Sequence, residues 1–325
     1  MSEEARRFCR EILEDVSRSF ALTIPMLDDE LRDPVTIIYL QDRLLDNFED
    51  ELPGVETGLR QELMDEVVEI FRPGHSSLPA DSVERVQSWA GQFGDSSLTR
   101  LAANADRLWQ AYNSLSPSVR ELSFPWLEEM NQGMKKYLEE PVDTFSDLDE
   151  YCYYVAGTVG GFLSHLVIDV DRPGKKEREI LENNYAGSGK FLQKVNITRD
   201  IRADIMGRDR IFWPLEELEI EEAEELLEPS RRSRALSALE AMVDSALAHV
   251  PSLFQYLEAI PASLPGYRKF YCVNNAMGLA TLQKLRGNYE VFCGDEPVRI
   301  PRWKTFMISK FPERYMRKLG SSYLD

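Results

Sequence analysis

Histidine is scarce: His75, His165 and His249 are the only three in 325 residues, and they are scattered. A His-based zinc site or a Ser-His-Asp triad therefore has little support. The four cysteines, Cys9, Cys152, Cys272 and Cys293, show neither CxxC nor metal-site spacing. A reduced setting is the simplest reading. Basic charge is also short, with 38 Lys and Arg against 56 Asp and Glu and a net charge of −18. That balance disfavours binding to a nucleic-acid backbone, which needs a basic face. An anionic small molecule is not excluded, because a few arginines and a metal can neutralise one local site. No apolar run reaches the ~18 residues needed to span a membrane. The start at Met1 shows no signal-peptide core. Together these absences predict a cytoplasmic protein.

Strand alternation, internal repeats, low-complexity segments and credible linkers are also missing. At 43% apolar residues the chain is globular. The expectation is an all-α protein forming a single domain over residues 1–325, with a basic, partly apolar tail at 299–325.

What is present centres on FLQKVNITRDIRADIMGRDRIFWP, residues 191–214. Read as a helix, it places Gln193, Asn196, Asp200 and Asp204 on one stripe within roughly 80°. Amides and carboxylates beside Phe191, Leu192, Val195 and Ile197 suggest a polar seam lining a cavity. A second acidic cluster, Asp46, Glu49 and Asp50, stands in LLDNFEDE at i, i+3, i+4 spacing. Two such clusters on facing helices can hold divalent metal.

Along the chain, helices are predicted at 3–16, from Asp33-Pro34 to about Asp50, and at 59–71, 81–92, 96–114 and 117–138. Asp147 or Asp149 is the expected cap of the next helix, in which Tyr151, Val155 and Val159 share a face. Gly157, Gly160 and Gly161 lie inside it, each costing ~1 kcal/mol relative to Ala. Either close helix packing or room for a ligand can explain them. Residues 171–188 read as a polar connection, EELEIEEAEELLEP as an acidic solvated helix, and 231–260 as one long helix. In the tail, Arg299, Arg302, Lys304, Lys310, Arg314, Arg317 and Lys318 stand beside Trp303, Phe306, Met307, Ile308 and Phe311. That mixture fits an anionic membrane surface, or a last helix packed on the body.

Mg²⁺ suits carboxylates together with substrate phosphate oxygens. Two or three such ions could stabilise a departing diphosphate, with Arg18, Arg43, Arg199 and Arg210 as further donors. An apolar cavity would then shield the allylic carbocation left behind, with Tyr151 and the small-residue helix as walls.

Four segments carry a resemblance: SRSFALTIPMLDDELRDPVTIIYLQDRLLDNFEDE, YCYYVAGTVGGFLSHL, FLQKVNITRDIRADIMGRDRIFWP and YCVNNAMGLATL. In order, they resemble the squalene/phytoene synthase family, specifically its squalene synthase branch. The resemblance implies an all-α isoprenoid-synthase bundle with a central cavity. It implies a farnesyltransferase that condenses two farnesyl diphosphates, or another prenyl diphosphate, through presqualene diphosphate. An NADPH-dependent reductive rearrangement to squalene follows. By matching position, Asp46, Glu49 and Asp50 form the first metal motif, and Asp200 and Asp204 the second. Ser17, Arg18, Phe20, Tyr39, Arg43, Gln193 and Arg199 match substrate and diphosphate contacts, with Val155 and Val159 on the cavity wall. Tyr151, Arg43 and Gln193 are the implied catalytic groups. Arg210 matches a diphosphate-binding arginine, with Arg208 as competitor. Asn196, Arg299 and Arg302 are the candidates for the nicotinamide cofactor.

Three departures bear on the product. Ala203 replaces a glutamate of the second motif, Asn274 stands where proline is usual, and the basic cofactor segment is reduced to VRIPRW. They motivate an alternative that stops at presqualene diphosphate, quenches the cation with water, makes a dehydrosqualene- or phytoene-type product, or cyclises one prenyl diphosphate. Eukaryotic members carry a C-terminal anchor that this chain lacks, so a soluble, monomeric form is expected, touching membrane at most through its tail.

Overall fold

The computed structural model describes residues 2–207 and 210–324, apart from the side chains of Ser2 and Arg18. Among these residues every regular element is helical, as the missing strand alternation predicts. The residues group into two compact units, Met1–Glu139 with His165–Arg172, and Glu140–Ser164 with Pro173–Asp325.

In the first unit the helix Asp29–Asp50 is central. Leu31, Leu40, Leu44, Leu45 and Phe48 on it are fully buried, and it packs on Ser2–Val16, Thr57–Ile70, Ala105–Asn113 and Pro117–Glu139. Truncating any one of these core leucines to alanine would cost ~2–5 kcal/mol. The predicted start at Asp33-Pro34 is one turn late. The helix begins at Asp29, and Pro34 sits inside it. Asp33 does not cap. It pairs with Arg6 at 3.3 Å and Arg10 at 3.2 Å on the first helix. The expected helix 96–114 is two, Ser96–Ala102 and Ala105–Asn113, with Asp95 capping the first through Ser97 N.

The second unit is built on Lys175–Gly207, 33 residues or ~50 Å of helix. Residues 175–188 were expected to be a connection. They continue this helix, supported by Lys175–Glu179 and Arg178–Glu182 pairs one turn apart. Their apolar stripe is thin, and Leu181 is its one large buried side chain, which is why periodicity failed there. Around this helix pack Arg232–Leu247, Val250–Ala259 and Pro265–Leu285. The predicted single helix over 231–260 breaks at Ala248-His249, ahead of Pro251. The acidic stretch is not an α-helix. Ile220, Ala223 and Leu226 are buried at three-residue spacing, and Ala223–Leu227 is 3₁₀. That period matches three residues per turn, and glutamates at i, i+4 repel in an α-helix.

Thr144, rather than Asp147 or Asp149, caps the helix Phe145–Cys152, in a capping box with Asp147. A π-helical turn, Tyr153–Gly157, joins it to Thr158–Asp171. Such turns concentrate at functional sites. The run Phe145–Asp171 is long and apolar enough to cross a membrane, which the count of apolar residues missed. Half of its apolar window is buried inside the fold.

Candidate active site

In the first unit, Ser17 caps the helix Arg18–Thr23 by accepting from Phe20 N at 3.1 Å. Phe20 leans on Tyr39 at 5.0 Å between ring centroids. Burial raises the Tyr39 hydroxyl above its usual pKa against the opposing hydrogen bond to Ser17. One turn on, Arg43 pairs with Asp46. Ser17, Phe20, Tyr39, Arg43 and Asp46 are thus linked by a chain of contacts. Arg18 lies in this segment, but its side chain is outside the described residues.

The acidic cluster differs from its predicted form. Glu49 is fully buried, while Asp46 and Asp50 keep partial exposure. Asp42, which the motif reading overlooked, lies one turn before Asp46. Burial, then the Asp46 charge, pushes its carboxyl up to about 8. The stripe therefore runs from Glu49 and Asp42, ~20° apart, through Asp46 to Asp50, ~100° in all, with Glu49 at its buried edge. Spacing alone could have found Asp42. Asn47 is fully buried with both amide atoms unpaired among the described residues.

In the second unit, Gln193, Asn196, Arg199, Asp200 and Asp204 all lie on the helix Lys175–Gly207. Asn196 is exposed, Gln193 and Asp200 are half-buried, and Asp204 is buried. Arg199 grips Asp200 with two parallel hydrogen bonds, 2.8 Å from Nε and a shorter one from Nη2. Ala203 is exposed. The first carboxylate of each motif is thus held by an arginine, Asp46 by Arg43 and Asp200 by Arg199. Among the described residues, no three His, Cys, Asp or Glu side chains converge closely enough to hold a metal by themselves.

Tyr151 is buried and stacks on Phe212, centroids 4.3 Å apart and planes 14° apart. Arg210 lies over the same Phe212 ring at 4.9 Å. The FWP segment is anchored by Trp213 Nε1, which donates to Ile197 O at 3.1 Å. Arg208 lies outside the described residues. Val155 sits in the π-turn and Val159 just after it, both half-buried. Packing accounts for Gly160, and for Gly189 on the helix it meets. A Cβ on Gly160 would stand 2.2 Å from Tyr185 O, and one on Gly189 2.0 Å from Ala156 O. Bare backbone is what lets the two helices touch.

Sequence reasoning also missed a charged hub. Asp149 accepts from Lys190, lies 2.9 Å from Lys194 Nζ and 3.0 Å from His249 Nε2. Lys194 is buried and also donates to Ser245 Oγ at 2.9 Å. Burial alone would raise the Asp149 carboxyl, but His249, Lys190 and Lys194 outweigh it and hold it well below the usual range. Burial lowers the His249 pKa, outweighing the hydrogen bond to Asp149 that raises it. The hub ties three helices together two residues from Tyr151 and one from Gln193. Lys194 on the same helical face as Phe191 and Ile201 was the available signal.

Asn274 is buried and donates to Phe270 O at 3.0 Å. Arg299 and Arg302 are exposed, and Arg299 O accepts from Lys284 at 2.7 Å.

Comparison with known proteins is consistent throughout. Squalene synthase BSS of Botryococcus braunii is 33% identical over 299 residues, 90% of this chain and 61% of that protein. Squalene synthase of Nicotiana benthamiana is 33% identical over 88% of this chain and 66% of its own length. The chain thus spans less than two thirds of these relatives. A solved complex of TcSQS with a ligand superposes with a TM-score of 0.85 at 30% identity, covering 98% of this chain and 90% of that one. A dehydrosqualene synthase, 19% identical, shares the fold with a TM-score of 0.63. The architecture is the isoprenoid-synthase helical fold. With the squalene/phytoene synthase family model matching residues 13–304, the chain belongs to the squalene/phytoene synthase family.

Proposed function

We propose that this protein is a squalene synthase-like prenyltransferase. It joins two farnesyl diphosphates into presqualene diphosphate with loss of one diphosphate. It then reduces that intermediate to squalene with loss of the second. The observation that carries the reading is the pair of arginine-held carboxylates, Arg43–Asp46 and Arg199–Asp200, each one turn from a second acid. Diphosphate carries the negative charge that would draw these guanidinium groups off their carboxylates, freeing both for work.

Asp46, Asp50, Asp200 and Asp204 are proposed as the metal ligands, with Glu49 and Asp42 behind them. Hard oxygen donors without His or Cys suit Mg²⁺, which when bound supplies positive charge for the departing diphosphate. Arg43, Arg199 and Arg210 take diphosphate oxygens, with Arg18 and Arg208 assigned by motif. Ser17 and Tyr39 are assigned to orient the same group, and Gln193 is assigned by motif to the reacting carbons. Tyr151 is assigned to the carbocation, which an aromatic ring favours, and Phe20, Val155 and Val159 exclude water from it. Asn196, Arg299 and Arg302 are assigned to NADPH, which supplies a hydride. Two exposed guanidinium groups suit its phosphates. The two units act as one catalytic domain over 1–325. The enzyme works as a monomer in the cytoplasm, its 299–325 tail against membrane.

Ala203 and Asn274 favour a second reading, in which the reaction ends without reduction. The test is incubation with farnesyl diphosphate and Mg²⁺, with and without NADPH, products read by mass spectrometry. Squalene only with NADPH supports the full sequence. Presqualene diphosphate, an alcohol or a dehydro product in both tubes supports the second reading. Release of no diphosphate at all would sink both.

A further inference from the structure

The most apolar part of the exposed surface coincides with the most basic part of the chain. Seven large apolar side chains are strongly exposed among the described residues, and four of them, Trp303, Phe306, Phe311 and Leu324, fall from position 303 onward. Trp303 and Phe306 are each 65% exposed. They lie three residues apart on the helix Arg302–Lys310 and so share a face. Ile308, fully buried, sits ~140° round the helix from Trp303 and pins the opposite side to the body. Arg302 and Lys310 edge the aromatic pair.

The local charge runs against the rest of the protein. Residues 299–318 hold seven Lys and Arg and one acid, Glu313, in a chain of net charge −18. Glu313 is already engaged by Arg268 at 2.9 Å and Arg317 at 2.8 Å. Arg302, Lys304, Lys310, Arg314 and Lys318 have no carboxylate at ion-pairing distance among the described residues. Lys284, Lys304 and Lys318, from three different helices, are close enough that the other two add to burial in lowering the Lys304 pKa. This group of like charges beside the helix has no carboxylate counterpart among the described residues. An anionic lipid surface supplies the opposite charge, and an amphipathic boundary for indole and phenyl.

We propose that the helix Arg302–Lys310 is an interfacial docking element, laying Trp303 and Phe306 into the headgroup boundary of an anionic membrane with Lys310, on the same exposed face, over the lipid charges. This deepens the membrane contact proposed above and rests on that reading of the tail, but not on the reaction. Docking holds the enzyme where prenyl chains partition and where an apolar product can leave.

The full chain is sedimented with phosphatidylcholine vesicles and with vesicles containing phosphatidylglycerol. The expected result is binding to the anionic vesicles, weakened by salt, with a blue shift of tryptophan emission. Each basic residue near such a surface changes affinity about fivefold, so Lys310→Gln binds about fivefold more weakly. Trp303→Ser/Phe306→Ser weakens binding at least about tenfold and loses the emission shift, with an unchanged circular dichroism melt. Wild-type binding no stronger to anionic than to neutral vesicles, or equal binding by wild type and both variants, overturns the inference. Diphosphate release from farnesyl diphosphate in detergent is measured beside it. Vesicle binding without release would refute the proposed reaction and leave the docking element standing.

Discussion

Asp149→Asn tests whether charge holds the helices of the second unit together around Lys194. Asparagine keeps the volume and removes the charge. Lys190, Lys194 and His249 are then left around a neutral amide. Lys190 keeps access to water, with its side chain 21% exposed, but Lys194 is only 4% exposed. Its other acceptors are Ser245 Oγ at 2.9 Å and the Ser245 carbonyl at 3.4 Å. Breaking a buried ion pair by removing one partner costs ~3–5 kcal/mol. Because Lys190 keeps access to water and the Asp149 side chain is itself 34% exposed, the loss is screened to ~2 kcal/mol, read from urea unfolding at pH 7. The pH dependence has a definite sign. Asp149 is held below its ordinary value in the fold, so the folded protein binds fewer protons there than the unfolded chain. Its stabilisation is present above the unfolded pKa of ~4 and lost as pH falls below it. The variant's stability should therefore depend less on pH on the acid side of ~4. Asp149→Asn/Lys194→Met should recover part of the loss, since a hydrophobic side chain of similar length needs no counter-charge. A loss under ~1 kcal/mol, the range of an exposed pair, with an unchanged acid limb, would show the hub to be an ordinary surface cluster.

The remaining predictions concern metal and packing. Asp46→Ala or Asp200→Ala should lower diphosphate release by more than ~100-fold while the circular dichroism spectrum stays the same; near-wild-type rates in either variant would remove that residue from the metal assignment. Ala203→Glu adds a carboxylate at an exposed helix position, so it should shift the Mg²⁺ titration of activity with a stability change within ~0.5 kcal/mol. An unchanged titration would show that position 203 does not reach the metal. Gly160→Ala should cost ~3 kcal/mol, because its Cβ would meet the Tyr185 carbonyl. A thermal melt identical to wild type would contradict the close helix contact.

The local layout of the candidate site residues was legible because it is written in helical spacing. The stripe from Gln193 to Asp204 needs only helical geometry, and those residues do lie on one continuous helix. The Arg43–Asp46 pair follows from three-residue spacing in the same way. Less legible was which acids point where. Glu49 satisfies the spacing rule as well as Asp50 does, yet it is fully buried, because rotation of the helix against its neighbours decides burial and sequence distance does not. Asp42 escaped notice for the complementary reason, lying one turn before the motif.

Composition and periodicity by themselves determined the all-α class, most of the helices and the two acid-bearing segments, since hydrophobic period and capping chemistry act within a few residues. Tertiary structure decided where helices begin and end when local signals were weak. Lys175–Asn184 is helical although its apolar stripe is thin, because Leu181 is buried and flanking ion pairs support the turns. It decided that Gly160 and Gly189 serve close packing, since only a three-dimensional approach puts Tyr185 O and Ala156 O against them. It also decided the partners of Asp149. Lys190 and His249 stand 41 and 100 residues away in sequence, and no local pattern links groups that meet only when separate helices pack and exclude water from the charges between them.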